Sequence, residues 1–283
     1  MIIDYGGWTV TVAQLFMIQV LHLSYIGWDY SDGANKECKS RTKLVQLPSL
    51  FEFMAAALAP TQVLTGPFSH LTDFLNYIYR RQEYADIPSG ASLGFIRLST
   101  SIAWTLAYIL LGKFFPFKLI YTDKFQEGSF LEKIFYIEVL ATGAKAKYYA
   151  TFKMLEAGVI FSGQAYNGID ENTKQPKFDK MRMTDIISTE LCVFLKTLAD
   201  EWNRPAQLWL KECIYTRMHA NVVLKVFITF IISALWHGFY PVYILAFCLY
   251  AIAVVNTKYT YKMCTLHKAW RKPAFFITQS YCS

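Results

Sequence analysis

The stretch from Val226 to Val255 contains 30 residues without a single Lys, Arg, Asp or Glu. As one straight helix it would be about 45 Å long, whereas the hydrocarbon core of a bilayer is about 30 Å thick. Gly238 and Pro241 fall near its middle, and both residues interrupt helices. We therefore predict two helical arms with a break just after His237, the break being enclosed by protein or lining a cavity.

The composition of the chain is that of a membrane protein. Of its 283 residues, 54% are hydrophobic and only 17% are charged, whereas soluble domains average about 25% charged residues. The apolar residues also come in blocks. We therefore predict a protein with several membrane spans, associated with a lipid bilayer.

Two kinds of ligand are not expected. The net charge is +7, but the basic residues are scattered between apolar blocks and form no stripe that would bind nucleic acid. They are better explained by cytoplasmic loops that face anionic lipid. The six cysteines form no C-x-x-C motif and no cluster with zinc-ligand spacing, so no metal site is predicted.

Other segments complete the outline. Apolar runs predict membrane spans over residues 8–28, which carry no formal charge, and 94–111. Residues 131–163 are apolar but contain four lysines, which we expect to face protein or a water-filled cavity. Apolar residues recur with helical spacing over residues 187–198, which predicts one amphipathic helix leading into Asn203.

His237 is the only side chain in the long apolar run that titrates near neutral pH. One interpretation is a neutral histidine bonded to a neighbouring helix. In a membrane interior a functional role becomes the better interpretation, because ionisable groups are costly there and are retained for substrate or proton pathways or for catalysis. Burial disfavours the charged imidazole and leaves it able to accept a proton, as a general base must. Asn203 is a plausible amide partner, although an isolated asparagine in this position most often caps a helix or lies in a loop.

Two motifs resemble the signature of the membrane-bound O-acyltransferases (MBOAT), and most closely that of the lysophospholipid acyltransferase branch. The first motif is "WNRPAQLWLKECIYTR", and the second is "SALWHGFYP". The matching residues are Trp202, Asn203, Trp209, Leu210, Lys211, Tyr215 and Arg217, followed by Ser233, Ala234, Trp236, His237, Gly238, Tyr240 and Pro241.

The resemblance implies an all-α fold. It implies a polytopic helical bundle around an intramembrane tunnel, with residues 1–283 forming a single, partial domain. The chain would lack some N-terminal and C-terminal spans of the family. The implied location is the endoplasmic reticulum membrane, crossed several times.

The implied reaction transfers a fatty acyl group from acyl-CoA to a lysophospholipid hydroxyl. His237 would be the general base, and Asn203 would position the acceptor or the thioester carbonyl, or steady the imidazole. No metal, cofactor or covalent intermediate is required, since acyl-CoA is a co-substrate. Candidate substrate-binding residues flank the catalytic pair, although a topology signal explains the basic ones equally well; they are Trp202, Trp236, Arg204, Lys211 and Arg217.

A second hypothesis remains open: a catalytically silent, truncated MBOAT-like protein that binds lipid or a partner. Two departures from the family pattern favour it, Val242 in place of a common glycine and Arg204-Pro205 directly after Asn203. A channel or transporter is a third hypothesis. It predicts charges in several spans, whereas the charges here cluster in loops and in one central segment. The pattern leaves the oligomeric state open.

Overall fold

The computed structural model describes residues 12–38, 40–63, 66–192 and 194–266. Within these residues the chain is helical and contains no β-strand, which confirms the all-α prediction. Residues 117–121 and 82–85 form 3-10 turns, and residues 211–215 form one turn of π-helix. The α-helices are α1 (Val12–Ala34), α2 (Leu50–Ala57), α3 (Leu71–Ile78), α4 (Ala91–Phe114), α5 (Asp123–Gln126), α6 (Phe130–Phe161), α7 (Ile186–Glu190), α8 (Leu195–Trp202), α9 (Arg204–Leu210), α10 (Val222–His237) and α11 (Pro241–Leu266).

The chain divides into two compact units, one up to Ile186 and one from Ile187 onward. The first unit contains α1 to α6, and the second contains α7 to α11. A single domain over residues 1–283 and a bundle around an intramembrane tunnel both stay predictions.

An antiparallel pair of long helices, α4 and α6, organises the first unit. A capping box starts α6, because the backbone N–H of Ser129 donates to Glu132 at 2.7 Å while the Ser129 hydroxyl accepts from the Glu132 N–H. Farther along, the Ser101 hydroxyl donates to the Ala150 carbonyl at 2.7 Å. Nearby, the rings of Trp104 and Tyr149 lie 5.1 Å apart. The small Ser101 side chain and this aromatic contact hold the two helices side by side.

A buried ion pair lies near the C-terminal end of α6. Lys153 and Glu156 are each only 3% exposed, and Lys153 Nζ lies 2.8 Å from Glu156 Oε2. The Lys153 ammonium also donates to the Thr184 carbonyl at 2.7 Å. Glu156 Oε1 accepts from the backbone N–H groups of Met183 and Thr184 at 2.9 and 3.2 Å. The prediction that lysines in this segment face protein is thus confirmed for Lys153.

A second network ties the segment after α6 to α3 and the 3-10 turn at residues 82–85. Lys180 Nζ lies 2.8 Å from Asp73 Oδ1 and 2.6 Å from Glu83 Oε1. It also sits over the Tyr84 ring, 4.8 Å from its centroid. Burial by itself would lower the pKa of Lys180, but the two carboxylates outweigh burial and the pKa is raised above its usual value.

The two arms of the long apolar run form in the second unit as predicted. α10 ends at His237, α11 begins at Pro241, and the two helices pack against each other. Rings of Phe230 and Tyr250 meet across this contact at 5.4 Å. The break follows His237 directly, which confirms the prediction from Gly238 and Pro241.

The prediction of one amphipathic helix over residues 187–198 is wrong. The structure has two short helices, α7 and α8, separated by residues 191–194. Phe194 has extended dihedral angles, φ −114° and ψ 130°. Cys and Phe both have lower helix propensity than Leu or Ala, and Cys192 and Phe194 are not helical even though the apolar spacing continues across them.

Among the described helices, one segment is long and apolar enough to cross a membrane, residues 91–121, and it contains the span predicted at 94–111. α10 and residues 241–257 of α11 are apolar but shorter. The span predicted over residues 8–28 is helical from Val12 and continues to Ala34, and residues 8–11 lie outside the described residues. α1 is long enough to cross a membrane but is not apolar enough, because it carries polar side chains; Gln19, for example, donates to the Ala57 carbonyl at 2.8 Å.

Candidate active site

His237 is the last residue of α10, at the break in the apolar run. The Asn221 side chain caps the start of this helix by accepting from the Leu224 N–H at 2.9 Å. At its end Gly238 has φ 141° and ψ 162°, which turns the chain out of the helix. The C-terminal end of a helix carries partial negative charge and stabilises a cation. An imidazole in this position gains support in its protonated form, as a base does after it has taken up a proton.

Three aromatic rings lie beside the His237 imidazole. The centroids of Trp236, Phe247 and Tyr243 are 4.8, 5.3 and 6.0 Å from that of His237. As a whole residue His237 is exposed in the chain by itself, although these rings cover part of the imidazole, so the burial expected from the sequence stays a prediction. Among the described residues its ring neighbours come from the end of α10 and the first two turns of α11, and this leaves one side of the imidazole accessible to a substrate.

Asn203 links α8 to α9 and caps the second helix. Its Oδ1 accepts from the Ala206 N–H at 3.4 Å, and Pro205 occupies the first turn, where a helix tolerates proline. The Arg204-Pro205 pair therefore starts a helix and does not disrupt the site. Within the described residues the Asn203 amide nitrogen makes no hydrogen bond, so it can donate to a ligand.

The two sequence motifs meet through a pair of tryptophans. Trp209 on α9 and Trp236 on α10 have ring centroids 5.7 Å apart, at an interplanar angle of 45°. Trp236 immediately precedes His237, and Asn203 lies six residues before Trp209, or about 9 Å along a helix. Asn203 and His237 make no hydrogen bond to each other. The structure thus brings the motifs together but does not join the two side chains.

The remaining predicted site residues differ in how readily a substrate could contact them. Trp202 and Trp236 are half-buried. Arg204 is held by Glu201, with Nη1 2.6 Å from Oε1. Arg217 donates from Nε to the Glu212 carbonyl at 3.0 Å. Lys211, at the start of the π-helical turn, is exposed and is the most accessible of the three predicted cations.

Three further residues belong to the site and were not predicted to contribute to it. Tyr243 and Phe247 are four residues apart on α11 and so share the helix face that contacts His237. That spacing is visible in the sequence and could have identified them. Trp209 is 3% exposed, and its indole N–H has no partner among the described residues. Nothing in the sequence distinguishes this unpaired donor from an ordinary buried tryptophan.

Replacing Gly238 with alanine is expected to destabilise the end of α10. The dihedral angles of Gly238 lie in a region that is essentially restricted to glycine, and forcing another residue into it costs about 1–3 kcal/mol. An added Cβ would also lie 3.2 Å from Tyr240 Cδ2. Thermal unfolding of the purified protein in detergent should show a lower midpoint for Gly238→Ala.

Gly112→Ala is the matched control. Gly112 lies within α4, and no atom would come within 4 Å of an added Cβ. This change should leave stability unaltered or raise it by about 0.4–1 kcal/mol. An equal loss in the two variants would show that the conformation of Gly238 is not what matters.

Comparison with known proteins identifies relatives along most of the chain. The model of the MBOAT, membrane-bound O-acyltransferase family, matches residues 8–277. The protein named lysophospholipid acyltransferase of Saccharomyces cerevisiae is 29% identical over 84% of this chain and 44% of its own length. Lysophospholipid acyltransferase 1 of Arabidopsis thaliana is 28% identical over 87% of this chain and 56% of its own length.

A mammalian relative is matched over a similar share of its length. Membrane-bound glycerophospholipid O-acyltransferase 1 of Mus musculus is 25% identical over 87% of this chain and 54% of its own length. The chain thus spans about half the length of the curated relatives it matches.

Proposed function

Because this chain belongs to the membrane-bound O-acyltransferase family, we propose that it transfers a fatty acyl group from acyl-CoA to the hydroxyl of a lysophospholipid. The names of its relatives support this substrate class. The structural observation that carries the proposal is the position of His237, an accessible imidazole at a helix end beside three aromatic rings.

In the proposed reaction His237 acts as a general base. Its neutral imidazole removes the proton from the lysophospholipid hydroxyl as the oxygen attacks the thioester carbonyl. The tetrahedral intermediate then collapses, the C–S bond breaks, and the imidazolium returns the proton to the departing CoA sulfur. The negative end of α10 stabilises the imidazolium between these steps.

Asn203 is proposed to stabilise the thioester oxygen as negative charge develops on it. Its Oδ1 is engaged in capping α9, which leaves the amide N–H groups for a ligand. A positioned donor of this kind is typically worth about 10²–10³ in rate. Such a donor is most effective where water is excluded, and the aromatic rings around His237 would contribute to that exclusion.

Binding and location are proposed by the same reasoning. Trp202 and Trp236 would contact the lipid portions of the substrates. Lys211 would attract the phosphates of CoA. Arg217 and Arg204 would contribute less, because both already bond to protein acceptors. No cofactor is proposed. A multi-pass location in the endoplasmic reticulum, with a tunnel among the helices, remains part of the proposal.

The test is an acylation assay on membranes that lack endogenous lysophospholipid acyltransferases. The chain is expressed in them and supplied with radiolabelled oleoyl-CoA and a panel of lysophospholipids that differ in head group. We expect labelled phospholipid to form from at least one acceptor, and the panel identifies the preferred head group. No labelled product from a chain shown to be membrane-inserted would contradict the proposal.

The exposure of His237 favours one alternative, a catalytically silent protein that binds lipid. An imidazole left open to solvent does not by itself exclude water from a thioester. The same membranes distinguish the two functions, because a silent protein retains radiolabelled lysophospholipid without consuming acyl-CoA.

A further inference from the structure

No hydrogen bond within the described part of the chain orients the His237 imidazole. The residue ends α10, and the backbone leaves the helix at Gly238. A reacting side chain has to be held within about 0.5 Å and 10–20° of its productive position. For the reaction proposed above, the aromatic rings beside His237 therefore have to supply the orientation that a hydrogen bond often gives.

These rings form a continuous series that connects the imidazole to α9. The centroid of Trp236 lies 4.8 Å from that of His237 at an interplanar angle of 63°. Trp209 lies 5.7 Å from Trp236 at an angle of 45°. Aromatic pairs prefer such inclined arrangements to a face-to-face sandwich. Each ring thus limits how far the next ring can turn.

Trp209 is the most deeply buried ring of the series. Trp236 is half-buried, and so are Tyr243 and Phe247 on α11, whereas Trp209 is only 3% exposed. A ring in a close-packed interior cannot move unless the side chains around it move as well. The position of Trp209 therefore determines where Trp236 can settle, and Trp236 in turn determines where the imidazole can lie.

The sequence places Trp209 in the interior because α9 has an apolar face. The buried residues of this helix are Pro205, Ala206, Trp209 and Leu210. Asn203 caps the same helix through its Oδ1. One helix thus carries both the Asn203 amide and the ring that reaches toward His237. The two proposed catalytic side chains can be held relative to each other without a hydrogen bond between them.

The indole N–H of Trp209 allows the contribution of the ring to be measured separately. This N–H has no hydrogen-bond partner among the described residues. Phenylalanine at this position would keep an aromatic ring and remove a buried donor that costs free energy while it is unsatisfied. Leucine would keep apolar volume without a ring. The two substitutions therefore distinguish the ring from the N–H group.

We propose that Trp209 is a positioning residue, which orients the His237 imidazole through Trp236 and fixes it relative to Asn203. This role rests on the proposed acyl transfer and deepens it, because it identifies a residue that sets the geometry of the site without touching either substrate.

The first test is the kinetics of acyl transfer by the full chain in the membranes described above, with acyl-CoA and the preferred lysophospholipid each varied. Trp209→Leu should lower the turnover number about 10²-fold, the loss that a displacement of about 1 Å can cause. KM should stay unchanged, because the ring contacts no substrate. Trp209→Phe should recover most of the loss. A wild-type turnover number for Trp209→Leu would overturn the proposal, and so would equally slow leucine and phenylalanine variants, which would indicate a role for the indole N–H.

A double-mutant cycle tests whether the effect passes through Trp236. Trp236→Leu is expected to be slow by itself. Adding Trp209→Leu to it should cause little further loss, since both changes interrupt the same series of rings. A further loss as large as that of Trp209→Leu alone would show that Trp209 acts by another route, which contradicts the proposal.

The reactivity of His237 toward diethyl pyrocarbonate provides a measurement that does not depend on acyl transfer. Modification of the peptide that contains His237 is followed by mass spectrometry on the full chain in neutral detergent. Trp209→Leu should make this reaction severalfold faster, because Trp236 is then able to move off the imidazole, and an unchanged rate would exclude the positioning role. His219 is exposed in the same unit and is the internal reference. If the wild type forms no labelled phospholipid, the acyl-transfer proposal fails, whereas this measurement still decides whether Trp209 orients His237.

Trp104→Leu is the matched control for lost packing. Trp104 lies in the first unit, where it is half-buried with its ring 5.1 Å from that of Tyr149. The control should lower the unfolding midpoint but leave the turnover number and the reactivity of His237 unchanged. Equal loss of turnover in the two leucine variants would reduce the effect of Trp209 to general destabilisation and refute the proposal. If Trp209→Leu does not fold, Trp209→Met fills more of the space and supplies the same comparison with Trp209→Phe.

Discussion

His237→Ala is expected to lower the rate of acyl transfer by about 10²–10⁴-fold, the usual contribution of a positioned general base. The loss should appear in the turnover number, because the imidazole acts on the proton during reaction and contributes little to holding either substrate. The measurement is the rate of labelled phospholipid formation at saturating acyl-CoA, normalised to the amount of membrane-inserted protein.

His219→Ala is the matched control for His237→Ala. His219 is exposed and lies just before α10, in the same unit as His237. The control substitution therefore removes the same kind of side chain at a different place. It should retain wild-type activity. Equal rates for His237→Ala and the wild type would remove His237 from the reaction, whatever lipid the protein binds.

A companion variant separates the two roles of Asn203. Asn203→Asp keeps an oxygen that can cap α9 but loses the amide N–H groups, so a residue that acted only as a cap would tolerate it. We expect activity to fall about 10²–10³-fold in Asn203→Asp, with the thermal midpoint preserved.

Glu156→Gln is expected to cause the largest loss of stability, about 3–5 kcal/mol, because it leaves a buried cation without its partner. Lys153 is 3% exposed, and once the carboxylate is gone both burial and the nearby Arg97 and Arg182 disfavour its charged form. The unfolding midpoint in detergent should fall by roughly 6–20 °C, at the 2–4 °C per kcal/mol typical of chains somewhat shorter than this one.

Glu138→Gln is the control for the ion pair. Glu138 lies on the same helix and is exposed, so the same substitution should change stability by no more than about 0.5 kcal/mol. Removing the cation as well, in Lys153→Met with Glu156→Gln, should cost less than Glu156→Gln alone, since no buried charge is then left unpaired and the Gln oxygen can still accept from Met183 and Thr184. A midpoint for Glu156→Gln within 2 °C of the wild type would show that the pair does not hold this region together.

The part of the fold that could be predicted is the part governed by local chemistry. Gly238 and Pro241 interrupt any helix, and the break after His237 lies where they predict it. The helical periodicity over residues 187–198 was misleading, because apolar spacing reports which face is buried and does not show whether the backbone stays helical between two turns. Cys192 and Phe194 interrupt the helix without disturbing the spacing.

The charged interior was harder to predict. An excess of lysines in residues 131–163 indicated that some must face protein, but the sequence does not say that Lys153 pairs with Glu156 or that Thr184 comes within reach. Such contacts depend on how a distant segment folds back. Arg97 did offer a signal, since it is the only charged side chain in the span predicted over residues 94–111, and charged residues within spans are usually functional.

At the proposed active site, the identity of the residues was easier to predict than their environment. The motifs identify Asn203 and His237 as a pair, and the structure joins the motifs through Trp209 and Trp236. The exposure of His237 could not be inferred, because hydropathy does not distinguish an apolar run enclosed by protein from one that ends at an open surface.

The spacing of charges along α4 determines which bilayers fit it. From Arg97 to Lys113 the helix rises about 24 Å over sixteen residues, with no charge between them. The hydrocarbon of the endoplasmic reticulum is about 27 Å thick and that of the plasma membrane about 32–33 Å. In the thicker membrane both cations would be drawn below the head groups or the bilayer would have to thin, at a cost that rises with each ångström of mismatch. A helix with this charge spacing therefore matches the thinner of the two bilayers more closely.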